Sequence, residues 1–211
     1  MIDIQSLMET LAAQRKAYYS EADFQHAFAW ELHKQFPKSS VRLERPIKAN
    51  GKLLHLDFQI QLPNKSIAVE LKYKTRSLII ESEEESYSLS NHGAQDQGRY
   101  DFIKDISRLE QITCSIENCE GYAILLTNDN SYWKPRFKDT VDKAFNLSDG
   151  DTLSGEMIWS EITSNGTKKN RENSLILSDS YKLNWQNYSV INQENCGQFR
   201  YLALHVPAKF L

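Results

Sequence analysis

Cysteine is scarce in this sequence, and so are glycine and proline. Its 211 residues hold three cysteines, Cys114, Cys119 and Cys196, an odd number at spacings that suit neither a disulfide framework nor a paired-CxxC zinc site. They read as ordinary intracellular thiols. Eight glycines and five prolines are too few for a collagenous, linker-like or low-complexity chain. No run of eighteen apolar residues occurs, so a transmembrane helix is unsupported, and the opening Met1-Ile2-Asp3-Ile4 lacks the basic and apolar regions of a signal peptide. The expected location is the cytoplasm, with no membrane partner. A dominant charge sign is missing too. Against 28 Asp+Glu stand 25 Lys+Arg, a net charge of −3, which excludes a uniformly basic nucleic-acid coat but leaves a local basic groove open. What is present, 40% apolar and 11% aromatic residues, suits one packed α/β or α+β domain over 1–211.

Apolar residues at Ile4, Leu7, Met8 and Leu11 predict a first helix from Asp3 to about Tyr19. Ser20, with Asp23 three residues on, caps a second helix whose stripe of Phe24, Ala27, Phe28 and Leu32 ends near Pro37. Glu21 and Glu31 fall within the same stripe and so face the protein, where a carboxylate needs a partner or a metal. Val41–Glu44 reads as a strand, and Asn50-Gly51 as a turn into a strand over Lys52–Ile60. Leu54, Leu56, Phe58 and Ile60 take one face of it; His55, Asp57 and Gln59 take the other. After Pro63-Asn64-Lys65 a second strand sets Ile67, Val69, Leu71 and Tyr73 against Ala68, Glu70, Lys72 and Lys74. Ser77–Gly98, with its acidic run Glu81–Glu85, reads as a long lid-like loop, Arg99–Thr113 as a third helix and Tyr122–Thr127 as a central strand covered on both faces. Beyond it the pattern suggests a helix over Arg136–Phe145, a basic loop at Lys168–Arg171, and strands at Tyr181–Trp185 and Phe199–Val206 that extend the same sheet.

Glu70 and Lys72 are two apart on one strand and share a face. A two-residue loop at Pro63-Asn64 pairs Asp57 with Glu70, whereas a loop at Asn64-Lys65 pairs it with Lys72; either register gathers all three. Two carboxylates, with substrate phosphate oxygens and water, suit a Mg²⁺ ion that polarises phosphorus and acidifies an attacking water. An adjacent Lys72 then orients or helps deprotonate that water and offsets charge growing on the phosphorus. That is the chemistry of phosphodiester hydrolysis. The bland alternative is a solvated polar face in which an opposite-charge cross-strand pair adds about 0.2–1 kcal/mol.

His-Leu-Asp57 on one strand and Val-Glu70-Leu-Lys72 on the next resemble the PD-(D/E)xK nuclease superfamily, though Leu56 stands where the family name has proline. The resemblance covers about 20–127 and leaves 128–211 as an unmatched extension. It implies an α/β fold with a restriction-endonuclease-like α-β-β-β-α-β core, a mixed central sheet flanked by helices and extended by the C-terminal strands. It also implies a metal-dependent nuclease cleaving DNA or RNA, with DNA the first choice, to leave a 5′-phosphate, with Mg²⁺ as cofactor and Mn²⁺ able to substitute. Asp57 and Glu70 become ligands, Lys72 the group near the attacking water, and Glu21, which opens a helix similar to the family's first, a direct or water-mediated ligand, with Glu31 as second choice. The run Gln95-Asp-Gln97-Gly-Arg99-Tyr100 resembles a Gln-x-x-x-Tyr element of some branches, and Gln97 and Tyr100, with His55, are accessory candidates. The run Arg99–Glu110 resembles an uncharacterised bacterial branch. Asp101, Asp105 and Arg108, at i, i+4 and i+7, read as a structural ion-pair ladder outside the site. Lys72, Lys74, Arg76, Lys168, Lys169 and Arg171 form a candidate phosphate-binding rim. The alternative function is a catalytically inactive module binding nucleic acid or protein in bacterial defence or regulation, since the acidic run would repel a polyanion. A homodimer or a protein partner is compatible with either reading.

Overall fold

A computed structural model describes residues 2–49, 51–81, 86–136, 138–192 and 196–209. Helix α1, Ile4–Gln14, is capped by the Asp3 carboxylate, which accepts from the Ser6 N–H at 3.0 Å. It stops short of the expected Tyr19, because Arg15 turns extended and Ala17 and Tyr18 bury themselves without helical structure. Helix α2, Glu21–Gln35, begins as expected, with Ser20 Oγ accepting from the Asp23 N–H at 3.1 Å.

Three antiparallel strands follow: β1 Ser40–Ala49, β2 Lys52–Gln61 and β3 Ser66–Lys74. Strand β1 has ten residues, well beyond the expected Val41–Glu44. Its sheet-edge position accommodates Pro46, and Glu44 takes a left-handed φ of 49° where the ladder skips a pair. Here the hairpin turns over. Phe58 and Ile60 pack in the core under α1 and α2, while Leu54 and Leu56 pack in the core on the other side of the sheet. Asn50 of the expected turn lies outside the described residues; Gly51 has a φ of 75° that suits it.

The expected loop over Ser77–Gly98 is instead a small ribbon, β4 Leu78–Ile80 with β5 Tyr87–Leu89, followed by the first turn of α3, Gln95–Ser115. Leu78, Tyr87 and Leu89 bury against the α1/α2 core, which gives the ribbon its anchorage. Of the acidic run, residues 82–85 lie outside the described residues. Strand β6, Cys119–Thr127, is parallel to β3 and buried on both faces, as its apolar run implied.

Strands β7 Thr152–Met157, β8 Leu175–Lys182, β9 Gln186–Val190 and β10 Gln198–Val206, with the short helix α4 Asn165–Lys168, complete the chain. The result is a mixed α/β architecture with a six-stranded mixed sheet in the order β1-β2-β3-β6-β10-β9. Strand β10 extends that sheet as expected, and β9 joins it where no strand was expected; the strand expected at Tyr181–Trp185 instead contributes only Tyr181 and Lys182 to the end of β8, which with β7 forms a separate ribbon over α3. Arg136–Phe145 is not a helix: among its described residues only Lys143–Phe145 form a 3₁₀ turn, and Arg136 is drawn into an ion pair with Asp142. Helices α1 and α2 cover one face of the sheet and α3 the other, as the alternation of β3 and β6 residues between the two cores requires. Among the described residues no helix is long and apolar enough to cross a membrane.

Candidate active site

The β2–β3 ladder runs from Gln61↔Ser66 to Phe58↔Val69, the first of the two registers the turn allows, and ends there. Beyond Val69 the β2-side edge of β3 has lost its strand partner, and side chains take over. Asp57 Oδ2 accepts from the Leu71 N–H at 2.8 Å. Glu21 Oε2, carried in by the N-terminus of α2, accepts from the Tyr73 N–H at 2.8 Å. Both carboxylates are thus fixed on one strand edge by backbone hydrogen bonds, which are strong because the acceptor is charged.

Glu70 and Lys72 project from the face of β3 that α3 covers. Glu70 is only 2% exposed and Gln59 on the same face 4%, so the bland reading of a solvated polar face does not hold. From α3, Asp105 Oδ2 lies 3.0 Å from Lys72 Nζ, and Arg108 lies 3.0 Å from Glu70 Oε1 and 3.1 Å from Asp105. Arg108 also donates to the carbonyl oxygen of His55. Four carboxylates and two cations therefore share one buried neighbourhood.

Burial, together with the charges of Asp105 and Asp57, pushes Glu70 up to about 9, against the pull of Arg108 and Lys72. Burial raises the Asp105 carboxyl as well, with Lys72 and Arg108 opposing. For Lys72, burial works to lower the pKa, but Asp105, Asp57 and Glu21 outweigh it and hold the ammonium above the ordinary lysine value. Burial is the leading cause at both carboxyls, and the excess of four carboxylates over two cations, felt through the charge of Asp57, adds to it.

A divalent cation would relieve that excess. Among the described residues no three His, Cys, Asp or Glu side chains are already arranged around one cation. Yet Glu70 Oε1 is buried with the Arg108 ion pair against it and no hydrogen bond, and Asp105 Oδ2 is buried against Lys72. Hard oxygen donors carrying surplus negative charge fit Mg²⁺ or Mn²⁺ in chemistry.

The remaining candidates sit elsewhere. Glu31 is 5% exposed and accepts from Gln14 at 3.1 Å and Gln35 at 3.2 Å and pairs with Lys34, so it joins α1 to α2 and not to the site. Gln97 donates to the Thr167 carbonyl at 3.1 Å, and Tyr100 donates to that of Asn173 at 2.9 Å while stacking on Trp159. Neither is brought to the cluster, because the C-terminal third claims both side chains. His55 is exposed and contributes its carbonyl oxygen. Half of the basic rim is committed: Lys72 to Asp105, Arg76 to Asp129 at 2.8 Å and Arg171 to Asp101 at 2.6 Å.

Asp105 and Arg108 are the residues that sequence reasoning left out, and the structure puts them at the centre. The signal was there: Asp105 lies within the stripe of Phe102, Ile106 and Leu109, where a carboxylate faces the sheet and requires a counter-charge. Comparison with protein-family models, curated proteins and solved structures finds no match to this chain. Its function must be argued from the site.

Proposed function

We propose that this chain is a Mg²⁺-dependent nuclease of the PD-(D/E)xK type, hydrolysing phosphodiester bonds in DNA or RNA, with DNA the first choice, in the cytoplasm. The observation that carries the reading is the convergence of Asp57, Glu70 and Lys72 under α3, with Glu21 anchored on the same strand. With the separate β4–β5 ribbon set aside, the order α2, β1, β2, β3, α3, β6, a helix, three strands, a helix and a strand, supports a restriction-endonuclease-like core. Asp57 and Glu70 would hold the cation, with Glu21 ligating directly or through water, and Mn²⁺ would substitute. When bound, the ion supplies Lewis acidity and a more acidic water.

Lys72 has the role its environment favours. Kept protonated by three carboxylates, it orients the attacking water and stabilises the extra charge on the pentacoordinate phosphorus; it does not take a proton. Asp105 holds that ammonium in place, and Arg108 keeps Glu70 aligned.

A second reading has its own observation in favour. Lys72 and Arg108 already pair with Asp105 and Glu70, and among the described residues no three-ligand set stands ready, as in a catalytically inactive module that binds nucleic acid or a protein partner. Cleavage of single- and double-stranded DNA and RNA with Mg²⁺ or Mn²⁺ separates the two. The nuclease reading expects metal-dependent cleavage that falls by about 100-fold or more in Asp57→Asn and Lys72→Ala. No cleavage by the folded wild type on any of the four substrates would favour the binding module.

A further inference from the structure

The edge of β3, continued one residue past its end at Lys74, carries one more side-chain acceptor than the site described above uses. Leu71, Tyr73 and Thr75 are alternate residues, so their N–H groups point the same way along an extended chain. Asp57 takes the first, Glu21 the second, and His92 Nδ1 the third, at 2.9 Å. The His92 N–H in turn donates to the Thr75 carbonyl at 2.7 Å, so the exposed residue is clamped at two points. Thr75 Oγ1 lies 2.9 Å from the same ring nitrogen and 2.7 Å from the Ser90 carbonyl oxygen, and Thr75 itself is 2% exposed.

We propose that His92 is a substrate-binding residue of this same site, gripping through Nε2–H a phosphate that flanks the scissile one. The inference rests on the nuclease reading and names what the site takes: a polynucleotide backbone extending past the cleaved bond. A nitrogen that accepts from a backbone N–H has its lone pair engaged, so the hydrogen of the neutral ring resides on Nε2. That donor is free to meet an anion in solvent. Alternate residues of a strand are about 6.7 Å apart, comparable with the separation of neighbouring phosphates on a nucleic-acid strand. Asp57, Glu21 and His92 therefore form a row in step with a phosphodiester backbone. Partial burial and Lys74 lower the His92 pKa, with Glu21 opposing, so the neutral donor form prevails near pH 7. Lys74, the next cation along β3, sits close enough to assist the same phosphate electrostatically.

The test is oligonucleotide binding by the full chain with Ca²⁺ in place of Mg²⁺, read by fluorescence anisotropy. His92→Asn keeps an acceptor near the Thr75 N–H and removes the distal donor; His92→Ala removes both; His92→Gln reaches outward with a new N–H. The expected result is a dissociation constant raised about tenfold, or about 1.4 kcal/mol, in both His92→Ala and His92→Asn, with partial recovery in His92→Gln. A single methylphosphonate at the flanking phosphate should abolish the difference between wild type and His92→Asn, which a merely structural role would not do. Wild-type affinity in His92→Asn, or a loss unaffected by methylphosphonate at any flanking position, would overturn the assignment. If wild type binds and Asp57→Asn does not while His92→Asn does, this inference fails and the nuclease reading stands. If wild type itself binds no oligonucleotide, both fall.

Discussion

Glu70 is a carboxylate held where a lone protein would prefer a neutral group. It is buried, its Oε1 lacks a hydrogen-bond donor, and Asp57 and Asp105 add like charge. Such an arrangement lowers stability unless something neutralises it. Replacing Glu70 with Gln keeps the shape and removes the charge. The metal-free Glu70→Gln variant should therefore melt a few degrees above wild type, corresponding to about 1 kcal/mol. Its thermal midpoint should then respond little to Mn²⁺, whereas that of wild type rises. A pair of melting curves with and without Mn²⁺ decides the point. A wild-type-sized upshift in the variant would remove Glu70 from the ligand set. The same logic explains why Asp57 and Glu21 differ from Glu70: each spends one oxygen on a backbone N–H of β3, which fixes its position.

At the scale of elements, α3 decides the site, because it converts the polar face of the hairpin into a buried one. Its approach depends on Gly121 of β6. A Cβ there would meet Val206 Cβ at 3.1 Å and Leu109 Cβ at 3.2 Å, and Leu109 is the neighbour of Arg108. Gly121→Ala should destabilise the protein by about 1–3 kcal/mol through overpacking and, by lifting α3, weaken the Lys72–Asp105 and Glu70–Arg108 contacts. Urea denaturation measures the first effect. A Mn²⁺ titration at a temperature where the variant is fully folded measures the second, and an unchanged affinity there would show that α3 does not set the site. This dependence on α3 also marks where the sequence stops being readable. The cap at Ser20, the alternation of β3 and the apolar run of β6 are local signals, and the structure follows them, whereas the single apolar face expected of β2 is split at Asp57, with Leu54 and Leu56 on one side of the sheet and Phe58 and Ile60 on the other. The pairing of Asp57 and Glu21 with β3 and the ion pairs of Asp105 and Arg108 join elements distant in the chain, and i, i+4 spacing within one helix cannot say what faces it. The second half of β1 escaped notice for a related reason: after Glu44 the hairpin turns over, so its apolar residues serve the opposite core.

Across the whole molecule, the C-terminal third holds α3 in place from the side away from the sheet. Asp101 pairs with Arg171, while Glu110 accepts from the Ser178 and Asp179 N–H groups and from the Tyr181 hydroxyl. Arg99 donates to Asp142 at 2.8 Å, and Arg136 meets the same carboxylate at 2.6 Å. Asp142, buried together with Arg99, is the acid of that last knot. Burial works to raise its pKa, but Arg136, Thr140 and Arg99 outweigh it and bring it from 3.8 down to about 2. A depressed acid pKa means the unfolded chain binds the proton first as pH falls. The stabilisation is therefore complete above about pH 4 and is lost as pH drops through the interval toward 2. The shift corresponds to about 2 kcal/mol, and orphaning the two guanidinium groups adds to it, so Asp142→Asn should cost about 2–4 kcal/mol at pH 7. Urea midpoints for wild type and variant from pH 7 to pH 2 should converge below pH 4. A difference that stayed constant over that range would mean the knot contributes through packing and not through its charge, and α3 would then owe its position over Glu70 and Lys72 to the apolar core alone.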